Sequence, residues 1–150
     1  FSALSIVAYV TGASWLAILC LCMVLALFGF IYYNWSPAKV FPGDVMTYSI
    51  GVLIAAVAIV GNFERIAVFF YLPYILEVCL KLRGRLKKQS FGKPMSDGSI
   101  DLPYEKIYSL NHLAIKTMKK LNVKPTEKKA VMLIWAFQIV IVLVGLVLFL

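Results

Sequence analysis

Acidic residues, cysteine and histidine are all scarce in this sequence of 150 residues. Asp and Glu total 7 against 15 Lys and Arg, and there is one histidine. Cys20, Cys22 and Cys79 lie inside apolar runs without a CxxC pair, which argues against a disulfide framework or a cysteine metal site. The basic residues lack zinc-finger spacing, an RNP pattern and aromatic–basic interleaving, so we expect no nucleic-acid partner.

Long apolar runs dominate the rest of the sequence. The chain is 62% hydrophobic with a mean hydropathy of +0.89, whereas soluble domains are about 45–50% apolar. We therefore expect an all-α, polytopic membrane protein with about four transmembrane helices and a partial N-terminal one. The predicted spans cover about 13–33, 45–61, 66–81 and 130–150. The start at Phe1 lacks a signal-peptide pattern, and we expect a later part of a longer polypeptide.

Charge distribution predicts the topology. Thirteen of the fifteen Lys and Arg fall between Lys81 and Lys129. Positively charged segments stay in the cytoplasm, so the predicted loop 82–129 is cytoplasmic. Alternation of the spans then places Asn34–Asp44, hereafter the corner, on the same face of the membrane.

The corner has two interpretations. Pro37 and Pro42 prevent a continuous helix, and Gly43 allows backbone to approach a ligand closely. Asp44 then begins the next helix, either as an N-cap that binds the first-turn N–H groups or as a magnesium ligand. Phe41 could pack against a wall or offer a flat platform to a base, and the residues alone favour packing.

A second segment, "KLRGRLKKQSFGKP" from Lys81 to Pro94, is hereafter the basic loop. Such runs usually anchor a protein to anionic lipid headgroups, but Arg and Lys also bind phosphate groups. The following "SDGS", 96–99, predicts a hairpin tip.

The remaining polar positions have mainly structural interpretations. Apolar spacing predicts an amphipathic helix over Tyr104–Leu121, lying on the membrane, with His112 as a surface residue. Glu77 forms either an i,i+4 ion pair with Lys81 or part of a substrate pocket. Pro73 is expected to kink the third span.

The corner reads "NWSPAKVFPGD", and it resembles a motif of the polyprenyl-phosphate N-acetylhexosamine-1-phosphate transferase family. The resemblance extends through the order of spans and "LPYEKI" before the last helix, so it covers most of the chain. It is closest to the archaeal and eukaryotic members that use UDP-GlcNAc and dolichyl phosphate. The chain is then the C-terminal portion of one integral-membrane transferase domain.

The resemblance implies residue roles. Asp44 would bind Mg²⁺, with Mn²⁺ as the alternative, and Phe41 would pack on the uracil. Further substrate contacts would come from Asn34 and Gly43 and from the cations of the basic loop: Arg83, Arg85, Lys87, Lys88 and Lys93. No catalytic residue is assigned.

The implied reaction transfers GlcNAc-1-phosphate from UDP-GlcNAc to a polyprenyl (dolichyl) phosphate and releases UMP, the first step of lipid-linked oligosaccharide synthesis. The expected partners are those two substrates, membrane lipid and the N-terminal portion of the same enzyme, with a homodimer left open. We expect an active site facing the cytoplasm, in the plasma membrane of an archaeon or the endoplasmic reticulum membrane of a eukaryote.

The chain departs from the family pattern in two ways. It has no adjacent acids and no Asn-rich segment upstream, so this stretch alone is expected to be inactive. The basic loop also lacks the Arg-His-Arg triplet of eukaryotic members, which favours an archaeal type. The alternative hypothesis is a non-enzymatic membrane scaffold or assembly subunit whose basic loop binds lipid. A third hypothesis is a transporter, which Pro73 and Glu77 support only weakly.

Overall fold

The protein is mainly helical, with very little sheet. The computed structural model describes residues 1–35 and 37–150, and 67% of the chain is helix. The elements are α1 (Ser2–Val10), α2 (Ser14–Asn34), α3 (Asp44–Val60), α4 (Glu64–Phe70), α5 (Leu72–Arg83), β1 (Lys93–Pro94), β2 (Ile100–Asp101), α6 (Leu110–Lys120) and α7 (Glu127–Phe149). The predicted all-α class is confirmed.

Among the described residues, two helices are long and apolar enough to cross a membrane. These are α2, with 21 residues, and α7, with 23 residues. Helix α3 is also apolar but has 17 residues, which at 1.5 Å per residue gives a length of about 25 Å. Most of the apolar surface of α2 and α7 is exposed, as expected for helices surrounded by lipid. The chain is therefore a membrane protein.

The chain divides into two compact units. The first contains Phe1–Phe70 together with Val142–Leu150. In this unit α1 and α2 form a helical hairpin, and the Ser5 hydroxyl donates to the Ala17 carbonyl at 3.0 Å. The core lies between the packed helices, and its buried side chains include Leu4, Cys20, Val57, Phe63 and Ile66.

The predicted third span, 66–81, is divided between two helices. Helix α4 ends at Phe70, Tyr71 follows in a helix-like conformation, and α5 begins at Leu72 with Pro73 in its first turn. Proline lacks an N–H group and clashes with the carbonyl four residues earlier, so it suits a helix start and not a helix interior. Pro73 thus lies where the helical path is interrupted, and the predicted kink stays a prediction.

The second unit, Tyr71–Ile141, contains α5, the sheet, α6 and the first part of α7. Its two strands pair antiparallel, with Lys93 opposite Asp101. The hairpin predicted at 96–99 is confirmed: the Met95 N–H donates to the Ser99 carbonyl at 2.8 Å, and Gly98 has a φ of 74°. Glycine adopts this left-handed conformation without a steric cost.

Helix α6 is shorter than the sequence predicts. The apolar spacing predicts a start at Tyr104, but the helix begins at Leu110, directly after its N-cap Ser109. The segment between β2 and Ser109 is irregular because Pro103 restricts the preceding backbone and Ser109 caps the first turn. The buried face of α6 includes Ala114, Ile115 and Met118, which pack with Ala130 of α7 to form the core of this unit.

Gly145 of α7 allows the rings of Phe69 and Phe70 to approach closely in the first unit. A Cβ at Gly145 would lie 2.7 Å from Cε1 of Phe70 and 2.8 Å from Cδ1 of Phe69. The substitution Gly145→Val should destabilise the protein by about 1–3 kcal/mol through overpacking. The measurement is thermal unfolding in detergent micelles.

The matched control is Gly29→Val in α2, where a Cβ would meet nothing within 4 Å. We expect the control to melt close to the wild type. Equal melting temperatures for the two variants would contradict a tight contact at Gly145.

Candidate functional site

The corner between α2 and α3 is closed by its own hydrogen bonds. The Asn34 side-chain amide donates to the Val40 carbonyl at 2.6 Å, and the Lys39 N–H donates to the Tyr33 carbonyl at 2.9 Å. These bonds fold the Pro-containing segment back on the end of α2. Ser36 of the motif lies outside the described residues. Asn34, predicted to contact substrate, therefore has a structural contact here, and its substrate contact stays a prediction.

Asp44 is the first residue of α3, and Gly43 is the N-cap. The Asp44 side chain is exposed, and its carboxylate forms no hydrogen bond or ion pair within the described part of the chain. The interpretation of Asp44 as a side-chain N-cap is therefore wrong. The Asp44 side chain still lies at the positive end of the α3 helix dipole. The structure leaves both carboxylate oxygens available to a ligand.

Phe41 and Gly43 also leave space around them. The Phe41 side chain is 79% exposed, so the favoured interpretation, packing against a wall, is not what the described residues show. Gly43 has an extended backbone, with φ of −88° and ψ of 172°, and a Cβ there would meet nothing within 4 Å. Neither backbone strain nor packing among the described residues requires glycine at this position. The corner thus presents an unobstructed backbone at Gly43, the exposed ring of Phe41 and the unpaired carboxylate of Asp44.

The basic loop presents its cations to solvent. Arg83, Arg85, Lys87, Lys88 and Lys93 are all exposed. Among the described residues, Arg83, Arg85 and Lys87 form no ion pair, whereas Lys88 lies 4.7 Å from the ring centre of Tyr104 in a cation–π contact. No ion pair among the described residues therefore neutralises the charges of Arg83, Arg85 and Lys87. Such a surface attracts anions, either phosphate groups or lipid headgroups.

The backbone of the basic loop adopts an uncommon conformation. Arg85 and Leu86 have φ values of 53° and 58°, although neither is glycine. The Leu86 N–H donates to the Lys81 carbonyl at 3.0 Å, and the Arg85 N–H donates to the Leu82 carbonyl at 2.9 Å. These bonds close the end of α5, while the left-handed conformation costs about 1–2 kcal/mol per residue. The loop is therefore a shaped turn and not a continuation of the helix.

The hairpin is bound to the segment before α7. The Ser99 hydroxyl and N–H donate to Asp97, and the Lys124 ammonium lies 3.1 Å from the same carboxylate. These hydrogen bonds, with Ser99 contributing most, hold the pKa of Asp97 well below its usual range. The Lys119 ammonium likewise lowers the pKa of Asp101. Both carboxylates are thus committed to structural contacts.

Glu77 connects α5 to α6. One oxygen of its carboxylate lies 3.6 Å from the Lys81 ammonium, which confirms the predicted i,i+4 ion pair. The other oxygen accepts a hydrogen bond from the Leu110 N–H at 2.6 Å. A carboxylate at the first turn of α6 satisfies a free N–H group and complements the helix dipole. The contacts of Glu77 in the described residues therefore favour a structural role over a substrate pocket.

His112 is wholly buried, so its prediction as a surface residue is wrong. Its Nδ1 accepts a hydrogen bond from the Tyr108 N–H at 3.3 Å, so a neutral ring carries its proton on Nε2. Nε2 is buried without a hydrogen-bond partner among the described residues. The ring lies edge-on to Tyr104, with 6.0 Å between centroids. Burial removes His112 from contact with any ligand at the surface.

Sequence reasoning missed Ser109, which is buried at the N-terminus of α6. Its hydroxyl accepts from the His112 N–H at 3.3 Å and donates to the Ser90 carbonyl at 3.1 Å. A serine directly before a run of helical apolar spacing is a known start signal, so the cap could have been predicted. The bond to Ser90, 19 residues earlier, has no local signal.

The predicted site residues fall into two groups. Asn34, Phe41, Gly43 and Asp44 lie in the first unit, and the structure brings them together at the corner. The five cations of the basic loop lie in the second unit. Among the described residues no group of three or more His, Cys, Asp or Glu side chains could hold a metal ion.

Known proteins are similar to this chain. Residues 1–62 match the family model described as glycosyl transferase family 4. The chain is 35% identical, over 97% of its length, to a Saccharolobus solfataricus protein named UDP-N-acetylglucosamine–dolichyl-phosphate N-acetylglucosaminephosphotransferase, a name marked there as provisional. A Sulfolobus acidocaldarius protein of the same name is 35% identical over 91% of the chain. No solved structure matches at a significant level.

A bacterial relative shares a shorter region. The phospho-N-acetylmuramoyl-pentapeptide-transferase of Staphylococcus aureus is 36% identical over 51% of this chain and 24% of its own length. The chain spans 45% and 40% of the two archaeal relatives, in their C-terminal part. The resemblance inferred from the corner motif is thus confirmed: over nearly its whole length the chain is similar to the C-terminal portion of archaeal proteins that carry the name UDP-N-acetylglucosamine–dolichyl-phosphate N-acetylglucosaminephosphotransferase.

Proposed function

We propose that this chain belongs to a membrane enzyme that transfers GlcNAc-1-phosphate from UDP-GlcNAc to a polyprenyl phosphate of the dolichyl type. The names of the archaeal relatives support the reaction. The observation that carries the proposal is the exposed, unpaired carboxylate of Asp44 at the start of α3. It lies beside an exposed aromatic ring, Phe41, on a corner that is closed by its own bonds.

In this reaction a phosphate oxygen of the polyprenyl phosphate forms a bond to the β-phosphorus of UDP-GlcNAc. The bond from that phosphorus to the bridging oxygen breaks, and UMP leaves with the bridging oxygen. The product is a polyprenyl diphosphate that carries GlcNAc. Both reactants are anionic, so the protein must reduce their mutual repulsion and align the attacking and leaving oxygens.

Asp44 fits a magnesium site in which substrate phosphates supply some of the other ligands. Mg²⁺ prefers hard oxygen ligands and is usually bound by one or two carboxylates together with water and substrate phosphates. A single available carboxylate meets the protein part of that requirement, with Mn²⁺ as the alternative ion. When bound, the metal ion would neutralise charge on the diphosphate. The acids that would complete the site belong to the N-terminal portion expected from the family resemblance.

The basic loop would supply the remaining positive charge. Arg83, Arg85 and Lys87 form no ion pair among the described residues, so they can bind an anion without first breaking one. Arginine binds phosphate through a planar fork, whereas lysine acts as a point charge. Phe41 would offer its exposed face to the uracil ring, and Gly43 would let the backbone approach the ligand.

Asp44→Asn tests the metal role. The change removes the charge with little change in volume, so we expect UMP release from UDP-GlcNAc by the full-length enzyme to fall at least about 100-fold. Thermal stability should change by no more than about 1 kcal/mol, since the lost contribution is the interaction with the helix dipole. The measurement is a Mg²⁺-dependent assay of UMP in membranes.

The matched control is Glu64→Gln, which neutralises the acid in the first turn of α4. We expect this variant to retain wild-type activity. Full activity of Asp44→Asn would contradict the proposal, and absence of UMP release by the intact wild-type protein would favour the membrane scaffold.

Gly43→Ala tests the close approach of backbone to ligand. A Cβ here meets no described protein atom within 4 Å, but alanine is a poorer N-cap than glycine, so we expect the stability to fall by no more than about 1 kcal/mol. The KM for UDP-GlcNAc should rise about tenfold. Gly51→Ala is the control, since it adds a methyl group at an equally open position of α3. A KM unchanged by Gly43→Ala would show that no ligand approaches this backbone.

The proposed topology places the corner and the basic loop on the cytoplasmic face. Single cysteines at positions 44 and 85, in a background without Cys20, Cys22 and Cys79, should both react with a membrane-impermeant maleimide added to inside-out vesicles. Neither should react in right-side-out vesicles. Labelling of the two positions from opposite sides would rule out a shared site.

A further inference from the structure

We infer that Ser109 is a positioning residue for the basic loop, and that it acts on nucleotide-sugar binding through Ser90. The inference rests on the proposed function, because it assigns the basic loop to the diphosphate. Ser109 itself is wholly buried, so it contacts no ligand. Its effect must pass through the backbone that it holds.

The Ser109 hydroxyl makes two hydrogen bonds, one as acceptor and one as donor. It accepts a hydrogen bond from the His112 N–H at 3.3 Å, which caps α6. It also donates to the carbonyl of Ser90 at 3.1 Å, which fixes the basic loop. A hydroxyl can do both at once because it carries one donor hydrogen and two acceptor lone pairs. One side chain therefore joins the helix start to the loop.

Ser90 lies within the cationic part of the loop, between Lys88 and Lys93. Two further contacts hold the loop on either side of it. Lys88 lies over the Tyr104 ring, and the backbone of Gly92 packs on α6, where an added Cβ would lie 2.8 Å from Cδ1 of Ile115. Between these fixed points the Phe91 side chain projects outward and is 77% exposed.

A loop fixed in this way is already ordered before a ligand binds. Without the bond to Ser90, the loop samples more conformations, and binding must then restrict them at an entropic cost. The cations contact the diphosphate in both the ground state and the transition state. Loss of the ordering should therefore raise KM for the nucleotide-sugar with little change in kcat.

Three substitutions separate the two contacts of Ser109 in the full-length enzyme. Ser109→Ala removes both the cap and the bond to Ser90. Ser109→Gly removes the hydroxyl but largely preserves the cap, because glycine is nearly as good as serine at an N-cap position. Ser109→Thr keeps the hydroxyl and is the conservative variant.

We expect the Ala and Gly substitutions to raise the KM for UDP-GlcNAc equally, by about fivefold, which corresponds to one neutral hydrogen bond. The kcat should stay within about twofold of wild type, and the Thr substitution should restore KM. Both substitutions lose the hydrogen bond to Ser90, but only alanine also loses the cap, so the melting temperature should fall further for Ser109→Ala than for Ser109→Gly. KM would then follow the hydroxyl and not the stability of the helix.

A wild-type KM for Ser109→Gly would overturn the inference, because Ser109 would then act only as a helix cap. Hydrogen–deuterium exchange of the amides from 86 to 92 gives a readout that does not depend on activity. Faster exchange in Ser109→Gly supports the bond to Ser90, and unchanged exchange overturns it. A wild-type enzyme that releases no UMP would overturn the proposed function, a result distinct from either exchange outcome.

Discussion

Backbone hydrogen bonding inside a bilayer is the constraint on which this structure depends. Lipid offers no partner to a free N–H or C=O group, so the chain can leave a helix only where side chains or a tight turn satisfy its backbone. The corner follows the end of α2 and is closed by two hydrogen bonds, from the Asn34 side-chain amide to the Val40 carbonyl and from the Lys39 N–H to the Tyr33 carbonyl. These bonds involve neither the Phe41 ring nor the Asp44 carboxylate, and both side chains are exposed and available to contact other molecules.

Much of the fold could be predicted because its signals are local. Long apolar runs predict α2 and α7, and the Ser-Asp-Gly-Ser turn predicts the β1–β2 hairpin. The corner motif placed Asp44 at the start of α3, because Pro42 and Gly43 end the preceding irregular segment. In each case the residues that determine the structure lie within a few positions of the structure itself.

The contacts that the sequence did not reveal join distant residues. Glu77 binds the Leu110 N–H 33 positions later, and Ser109 binds Ser90 19 positions earlier. A spacing pattern shows which face of a helix is apolar but not which remote carbonyl meets a hydroxyl. The burial of His112 was not predicted for the same reason. His112 lies in the first turn of α6, where the segment around Tyr104 and Tyr108 covers it. Burial of that kind depends on tertiary packing.

The left-handed pair at Arg85 and Leu86 limits which residues these two positions can hold. Branching at Cβ makes this backbone conformation still less favourable, so Val, Ile and Thr are poorly tolerated there. Asparagine and glycine are the least costly substitutes, and glycine at 86 would also remove an exposed apolar side chain. In the design of a more stable variant of this membrane protein, Leu86 in the cationic turn is therefore the first position to substitute.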